Sequence, residues 1–353
     1  MFENSYKTVI SDSNETDRYP RWEHVVHEIE VCYSLTLIVL GGIGNVIAVL
    51  VFLTTKLNKL PSNFYLVVLA LSDTTFLIAL FMTGLNTFGV PLLKISGLCA
   101  IDIHVTYVCN FLNAWLVVVL TVGRFISVRH PLRRTEMCTA ARAKVVLVSL
   151  TTVALIVYVP IFWLTRIEMG ENTAMCSLNP EFMRLATIIN HVDFVFTFIL
   201  PVLVIATLNA SIIFMVWQSA RMRPVFTHTP HSAEILRRPV RSLRSPIRVT
   251  KRLLAVSSAF LCLNLPFYVL RAMMYLQGSE STSETNLPVL QHSANLVFIT
   301  NFRINPLLHC VSGQDFREAL CSLCCSYTLC PGSRRSSEGP QLSASYLLVH
   351  SSK

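Results

Sequence analysis

Residues 99–134 read CAIDIHVTYVCNFLNAWLVVVLTVGRFISVRHPLRR. The apolar run 105–122 stops at Arg124, and Arg129, Pro131, Arg133 and Arg134 follow. At ~1.5 Å of rise per residue, 99–124 covers roughly a bilayer with its interfaces. One helix would therefore set a cysteine at one water boundary and an arginine at the other. Such a rod suits a protein that carries a message across a membrane.

The rest of the chain agrees. Of its 353 residues 53% are hydrophobic and 14% are charged, well under the roughly 25% usual in soluble domains. Seven apolar stretches occur, at about 31–55, 62–85, 99–128, 143–165, 186–218, 249–276 and 288–311. Each is long enough to span as a helix, the simplest way to pair backbone amides in lipid. The eleven cysteines are scattered through a long apolar chain, unlike a secreted disulfide scaffold. Residues 1–30 are polar and acidic and lack the apolar core of a signal peptide.

The net charge of +9 is explained by topology. Lys56, Lys59, Arg124, Arg129, Arg133, Arg134, Arg142, Lys144, the basic residues of 221–252 and those of the carboxyl tail fall on one side of an odd number of spans. The opposite side holds far fewer. The positive-inside rule then puts the amino terminus outside and the tail in the cytoplasm. Attraction to anionic lipid accounts for the basic face, and nucleic acid is not needed. The outer side is acidic, with Glu3, Asp12, Glu15, Asp17, Glu23, Glu28 and Glu30 near the amino terminus, and favours encounter with a basic ligand. Asn14 begins an Asn-Glu-Thr glycosylation sequon on that tail; a second match at Asn209 lies within a span.

Several residues, taken in order, make the chain resemble the rhodopsin-like (class A) G-protein-coupled receptors over about 31–322. These are Gly44-Asn45, Leu69-Ala70-Leu71-Ser72-Asp73, Cys99, Arg124, Cys176, Pro160, Pro201 and Pro266 in the fourth to sixth spans, and Asn305-Pro306. A short amphipathic piece with Phe316 and Arg317 precedes Cys321, Cys324 and Cys325. The phrasing Gly123-Arg124-Phe125 followed by His130-Pro131-Leu132 most resembles invertebrate neuropeptide receptors of the FMRFamide-receptor kind. The implied fold is an all-α membrane protein, a seven-transmembrane helix bundle with a short amphipathic cytoplasmic helix. The expected division is an extracellular tail over 1–30, the bundle over 31–311, the amphipathic helix over 312–322 and a cytoplasmic tail over 323–353.

The chain also departs from the family pattern. Gly123 stands where an acid usually precedes the arginine, and the fourth-span tryptophan is missing. Asn264 replaces the sixth-span tryptophan, Asn209 a fifth-span tyrosine, and His309 the last tyrosine of the seventh span. These changes touch the usual activation switches rather than the fold.

What the resemblance implies for individual residues follows. Cys99 and Cys176 are expected to be disulfide-bonded on the oxidising face, pinning the second outer loop over the bundle. Cys109, Cys262 and Cys310 are expected to pack mid-membrane. Asp73, a carboxylate deep in a span, is costly there and reads as functional. Asn45, Asn113, Asn301 and Asn305 are expected to converge on it, either around water and a sodium ion or as a hydrogen-bonded core without an ion. No other cofactor or metal is implied.

Arg124, with Pro131 and Leu132, is expected to couple to a heterotrimeric G protein. Gly123 removes its neighbouring acid. Pro246 stands where many relatives carry an acid, and Arg248, Lys251 and Arg252 would repel it. The expectation is raised basal signalling, lowered by Gly123→Asp.

The ligand cavity is expected to open outward, lined by Asp102, Thr106, Tyr107, Asn110, Asn190, Asp193, Phe194, Phe267, Tyr268, Arg271, Gln291 and Asn295. Thr106 stands where amine receptors carry an aspartate, which argues against a biogenic amine. Asp193 meets a cationic ligand group or pairs with Arg271 or a histidine. Arg271 clamps a carboxylate or amide, or faces head groups. Arg303, an unusual cation two residues before Asn305, has Asp73 or a backbone carbonyl as candidate partners. Cys321, Cys324 and Cys325 invite palmitoylation. Serines 333, 336, 337, 343 and 345 are candidate phosphorylation sites for an arrestin-like partner.

The function so implied is a plasma-membrane receptor for an extracellular ligand, in particular an amidated or Arg-containing peptide. The rival within the fold is a chemosensory or orphan class A receptor for a small molecule. A transporter would show inverted repeats and paired broken helices, which this chain lacks. An enzyme is disfavoured by the absence of HExxH, paired-Cys or GxSxG motifs.

Overall fold

In the computed structural model, residues 21–55, 61–87, 96–131, 133–169, 174–221, 254–273, 287–312 and 314–327 are described. They form long helices joined by short connections and one hairpin. Helix α1 is Arg21–Thr54, α2 is Pro61–Thr87 and α3 is Ser96–Arg129. Pro61 opens α2, a position where its missing N–H costs nothing. Helix α4, Ala140–Val157, starts at Thr139, whose side chain accepts the backbone N–H of Arg142. It ends at a turn leading to Pro160, and a single helical turn, Ile161–Leu164, follows.

The chain then makes an antiparallel hairpin of β1, Thr165–Met169, and β2, Ala174–Leu178, with Ile167 opposite Cys176. Helix α5 is assembled from Met183–Phe194, a π-helical turn at Val195–Ile199, and Leu200–Arg221. Pro201 explains that turn. Its ring crowds the carbonyl one turn back, and the preceding Leu200 N–H reaches to Val195 instead. Helix α6 covers Leu254–Met273, α7 is Leu287–Ser312 and α8 is Gln314–Tyr327.

The bundle is inside out relative to a soluble protein. Val39, Leu40, Ile43, Val46 and Leu50 line the outward face of α1, and Val145, Val148, Leu155 and Ile156 that of α4. Asn45, Asp73, Asn113, Asn301 and Asn305 are buried. Apolar outside and polar inside is what a lipid solvent selects. Helix α3 is the central rod: it contacts α2, α4 and α5 and is far more enclosed than the span containing α4. Aromatic stacking ties the outer half together, Phe76 on Phe302 at 3.7 Å and Phe198 on Tyr268 at 4.3 Å between centroids. Helix α8 is anchored by buried Phe316 against Phe52 and His309.

The seven expected stretches all appear as helices, with three differences. Among the described residues six helices are long and apolar enough to cross a membrane by length and composition alone. Helix α7 falls short because Asn301, Arg303, Asn305 and His309 turn inward, while Leu290, Val297, Leu307 and Val311 face out. Helix α1 begins at Arg21, inside the expected 1–30 tail. Intrahelical bonding continues through polar residues beyond the apolar stretch, so hydropathy marks where lipid begins rather than where the helix does. For the same reason α8 runs to Tyr327, past the expected boundary at 322.

Candidate functional site

Three polar zones are stacked along the bundle axis. The middle one centres on Asp73, fully buried on α2. Its Oδ1 accepts the Asn113 Nδ2–H group at 2.8 Å and its Oδ2 accepts that of Asn305 at 2.7 Å. Asn113 Oδ1 in turn accepts from Asn301 at 2.8 Å. One carboxylate thereby joins α2, α3 and α7 through charge-assisted bonds. Asn45, expected to converge on Asp73, instead donates to the backbone carbonyl of Phe302 at 2.9 Å. It faces α7 from α1 and never reaches the carboxylate. A sodium ion needs free oxygen ligands. Here both carboxylate oxygens already face N–H groups and the Asn113 oxygen is engaged. This is the hydrogen-bonded core expected without an ion, yet each carboxylate oxygen keeps a further lone pair and the Asn45 Oδ1 is buried without a partner, so oxygen donors for a cation are present.

The outer zone is organised by a buried ion pair. Asp193 on α5 and Arg271 on α6 meet at 3.4 Å, Oδ2 to Nη1, with both side chains almost fully enclosed. Asp193 Oδ1 accepts the Tyr158 hydroxyl at 2.8 Å. Arg271 Nη2 donates to the Asn190 backbone and side-chain oxygens at 3.2 and 3.3 Å. Tyr107 donates to the same Asn190 oxygen at 2.8 Å, while Asn110 donates to the Tyr268 hydroxyl at 3.0 Å. The alternatives left open for Asp193 thus resolve to internal pairing with Arg271. That pairing spans 78 residues of chain, and Tyr158, which completes it, was not anticipated. Its only signal is a tyrosine next to the helix-breaking Pro160.

The hairpin is fastened over this zone by the Cys99–Cys176 disulfide, as expected. Beneath it a narrow cleft, open to solvent, lies between α3 and the start of α5. Its lining joins Ile103 and Tyr107 of α3, Ile161 and Leu164, Ser177 and Leu178 of the hairpin, and Ala186, Ile189 and Asn190 of α5. Of the expected lining residues, Tyr107 and Asn190 reach the cleft. Phe267 and Tyr268 belong to an aromatic cluster with Phe298 and Phe198, and Phe194 packs on Phe198 and Tyr268. Gln291 and Asn295 are half-buried on α7. Thr106 spends its hydroxyl on the carbonyl of Asp102 in its own helix, and the Asp102 carboxylate accepts from Thr83 at 2.9 Å.

At the inner zone Arg124 is buried, with Nη2 3.5 Å from Ser62 Oγ on the first turn of α2. Space beside Gly123 is open: a Cβ built there meets nothing within 4 Å. The residues that depart from the family pattern have found other partners. Asn209 and Ser257 exchange hydrogen bonds between α5 and α6 at 3.0 and 3.2 Å. Asn264 turns back to the Phe260 carbonyl at 2.7 Å, and His309 packs between the rings of Phe52 and Phe316. Pro131 is exposed. Leu132, Asn14, Pro246, Arg248, Lys251, Arg252 and the tail serines lie outside the described residues. Cys324 and Cys325 fall on α8 beside exposed Cys321. Cys109 packs as expected, whereas Cys262 is exposed, because its position on α6 points out of the bundle.

A helix bundle with a disulfide-braced hairpin at one end, a buried carboxylate at mid-depth and a buried arginine at the other end defines a multi-pass membrane receptor. The sequence profile of the 7 transmembrane receptor (rhodopsin family) matches residues 44–309, and the chain belongs to that family. It is a family of receptors, not of enzymes. The chain is 29% identical over 143 residues to the thyrotropin-releasing hormone receptor of Homo sapiens, covering 39% of this chain and 36% of that protein. It is 24% identical over 187 residues to the trissin receptor of Drosophila melanogaster, 50% of this chain and 28% of that one. The longest of these three matches is to somatostatin receptor type 4 of Rattus norvegicus, 26% over 310 residues, 84% of this chain and 73% of that receptor. The matches to the thyrotropin-releasing hormone receptors span about a third of those proteins' length.

Proposed function

We propose that this protein is a plasma-membrane receptor that takes an extracellular neuropeptide at the hairpin end of the bundle and activates a heterotrimeric G protein at the Arg124 end. The observation that carries the reading is the outer zone itself. It pairs a cleft under a disulfide-fastened hairpin with a buried Asp193–Arg271 pair that spans α5 and α6. A ligand whose charged or amide groups displace that pair would change how α5 and α6 meet outside. The Asn209–Ser257 clip joins the same two helices at the inner end, so it must yield when α6 swings away. The relatives named for thyrotropin-releasing hormone, trissin and somatostatin support a ligand of this kind.

The amino terminus faces outward in this reading. The disulfide supports it, since such bonds persist in oxidising compartments, and Cys99 lies at the α3 end that shares a side with the start of α1. Pro131 and Leu132 extend the G-protein contact. Asn14 carries glycan, Cys321, Cys324 and Cys325 carry palmitate, and phosphorylated tail serines recruit arrestin. The test is a library of amidated peptides applied to cells expressing the chain with promiscuous G-protein reporters. A peptide response lost in Arg271→Ala but kept in an exposed α4 variant such as Val148→Ala supports the reading. A response confined to non-peptide small molecules overturns the ligand class.

A further inference from the structure

Arg303 of α7 is used by neither the peptide reading nor the polar core. Its side chain does not turn to Asp73, whose oxygens face Asn113 and Asn305. It runs instead along α1. Gly41 makes that route: a Cβ there would collide with Cγ and Cδ of Arg303. Any other residue at 41 would have to push the arginine stem aside.

The guanidinium ends in an under-furnished place. Arg303 is only 7% exposed, and its Nε and Nη1 are buried without a hydrogen-bond partner. Nη2 is 3.5 Å from Thr300 Oγ1, and the group lies 5.6 Å from the centroid of the Tyr33 ring. Among the described residues no carboxylate pairs with it. A permanently charged guanidinium offers five N–H donors, and taking it from water without an anion is strongly unfavourable. A neutral hydroxyl and a ring face do not compensate for that.

The direction of the side chain identifies the missing partner. Thr300 precedes Arg303 on α7 by one turn. Tyr33 precedes Gly41 on α1 by eight residues, about 12 Å along the helix. The cation is therefore drawn toward the amino-terminal ends of both helices, the outer leaflet in the orientation proposed above. Tyr33 closes the seam: its hydroxyl bonds Thr300 Oγ1 at 3.0 Å, yet its side is 38% exposed. Around it the outward faces are apolar, with Leu40 at 63% and Val297 at 36% exposure. An anion reaching this seam comes from the bilayer side, and apolar surface is ready for a chain attached to it.

We infer that the seam between the outer halves of α1 and α7 binds an anionic amphiphile, a carboxylate or phosphate head group on an acyl chain, which pairs with Arg303. Tyr33 is the door: the Thr300 hydroxyl already donates to the Leu296 carbonyl at 2.8 Å, so breaking the Tyr33–Thr300 bond admits the head group and frees the Tyr33 hydroxyl as a second donor to it. Bound lipid would brace α7 against α1.

The test uses the full chain in phosphatidylcholine discs with trace spin-labelled stearic acid, its methyl ester, or spin-labelled phosphatidic acid. Electron paramagnetic resonance reads the immobilised fraction. The expected result is retention of both acids over the uncharged ester by about tenfold. Arg303→Met abolishes that preference and Arg303→Lys keeps part of it. Equal retention of stearic acid and its ester by the unaltered receptor overturns the inference, whatever the variants do. So does equal retention by Arg303→Met. Displacement of the labelled acids by millimolar inorganic phosphate, with the potency of added lipid, assigns the anion to water and overturns the lipid source. None of these readouts depends on a peptide ligand.

Discussion

The buried Asp193–Arg271 pair makes the sharpest stability prediction. Replacing Arg271 with Met leaves a carboxylate enclosed beside the Tyr158 hydroxyl; replacing Asp193 with Asn removes the negative charge facing the guanidinium, which keeps the neutral Asn190 oxygens. Breaking one side of a buried pair costs about 3–5 kcal/mol. The 3.4 Å separation is long for a charge-assisted bond, and each partner keeps a second contact, so the low end, about 3 kcal/mol, applies. At ~2.1 cal/mol/K per residue over 353 residues, unfolding entropy is about 0.7 kcal/mol/K. Each single variant should then melt about 4 °C lower. The double variant removes both charges together. It should melt no lower than either single variant, a coupling of about 3 kcal/mol. Temperature-ramped size-exclusion chromatography of detergent-purified receptor reads all four proteins. Strictly additive losses in the double variant would refute the claim that these two charges stabilise each other.

Other expectations follow from the inner and middle zones. Gly123→Asp finds open space beside Arg124 and supplies the missing acid. Ligand-free reporter signal should fall about tenfold, a bias of ~1.4 kcal/mol, and an unchanged basal level would contradict it. Asn209→Ala removes both reciprocal bonds to Ser257; at ~1 kcal/mol for each, ligand-free nucleotide exchange should rise by up to about thirtyfold. Asp73→Ala strands the Asn113 and Asn305 amides at about 1–3 kcal/mol each. It should lower the yield of folded receptor, measured by surface labelling, while Asp73→Asn loses less.

Hydropathy placed the seven spanning helices because each must present a lipid-compatible face, and α4, the most exposed to lipid, was the plainest; α8 was read from its amphipathic pattern instead. The ends of α1 and α8 escaped because helical hydrogen bonding does not stop where apolar composition does. Within the site, the Cys99–Cys176 link and the role of Asp73 as an acceptor were legible, since a thiol pair on the outer face and a carboxylate in lipid each have few solutions. The direction of Asn45 was not. An asparagine can bond to backbone as readily as to a carboxylate, and only helix rotation decides. The partner of Asp193 had to wait for the structure for the same reason. Arg271 and Tyr158 reach it from two other elements, 78 and 35 residues away. The course of Arg303 depends on an absent side chain at Gly41, a vacancy one helix away that local pattern does not reveal.

The central claim is that this bundle relays an outer event to Arg124, and guanine-nucleotide exchange by purified receptor in bilayer discs tests it most directly. Across a panel of heterotrimeric G proteins, the unaltered chain should accelerate exchange on at least one, and Arg124→Ala, at equal folded amount, should abolish that acceleration. Equal exchange with and without Arg124 would contradict the account.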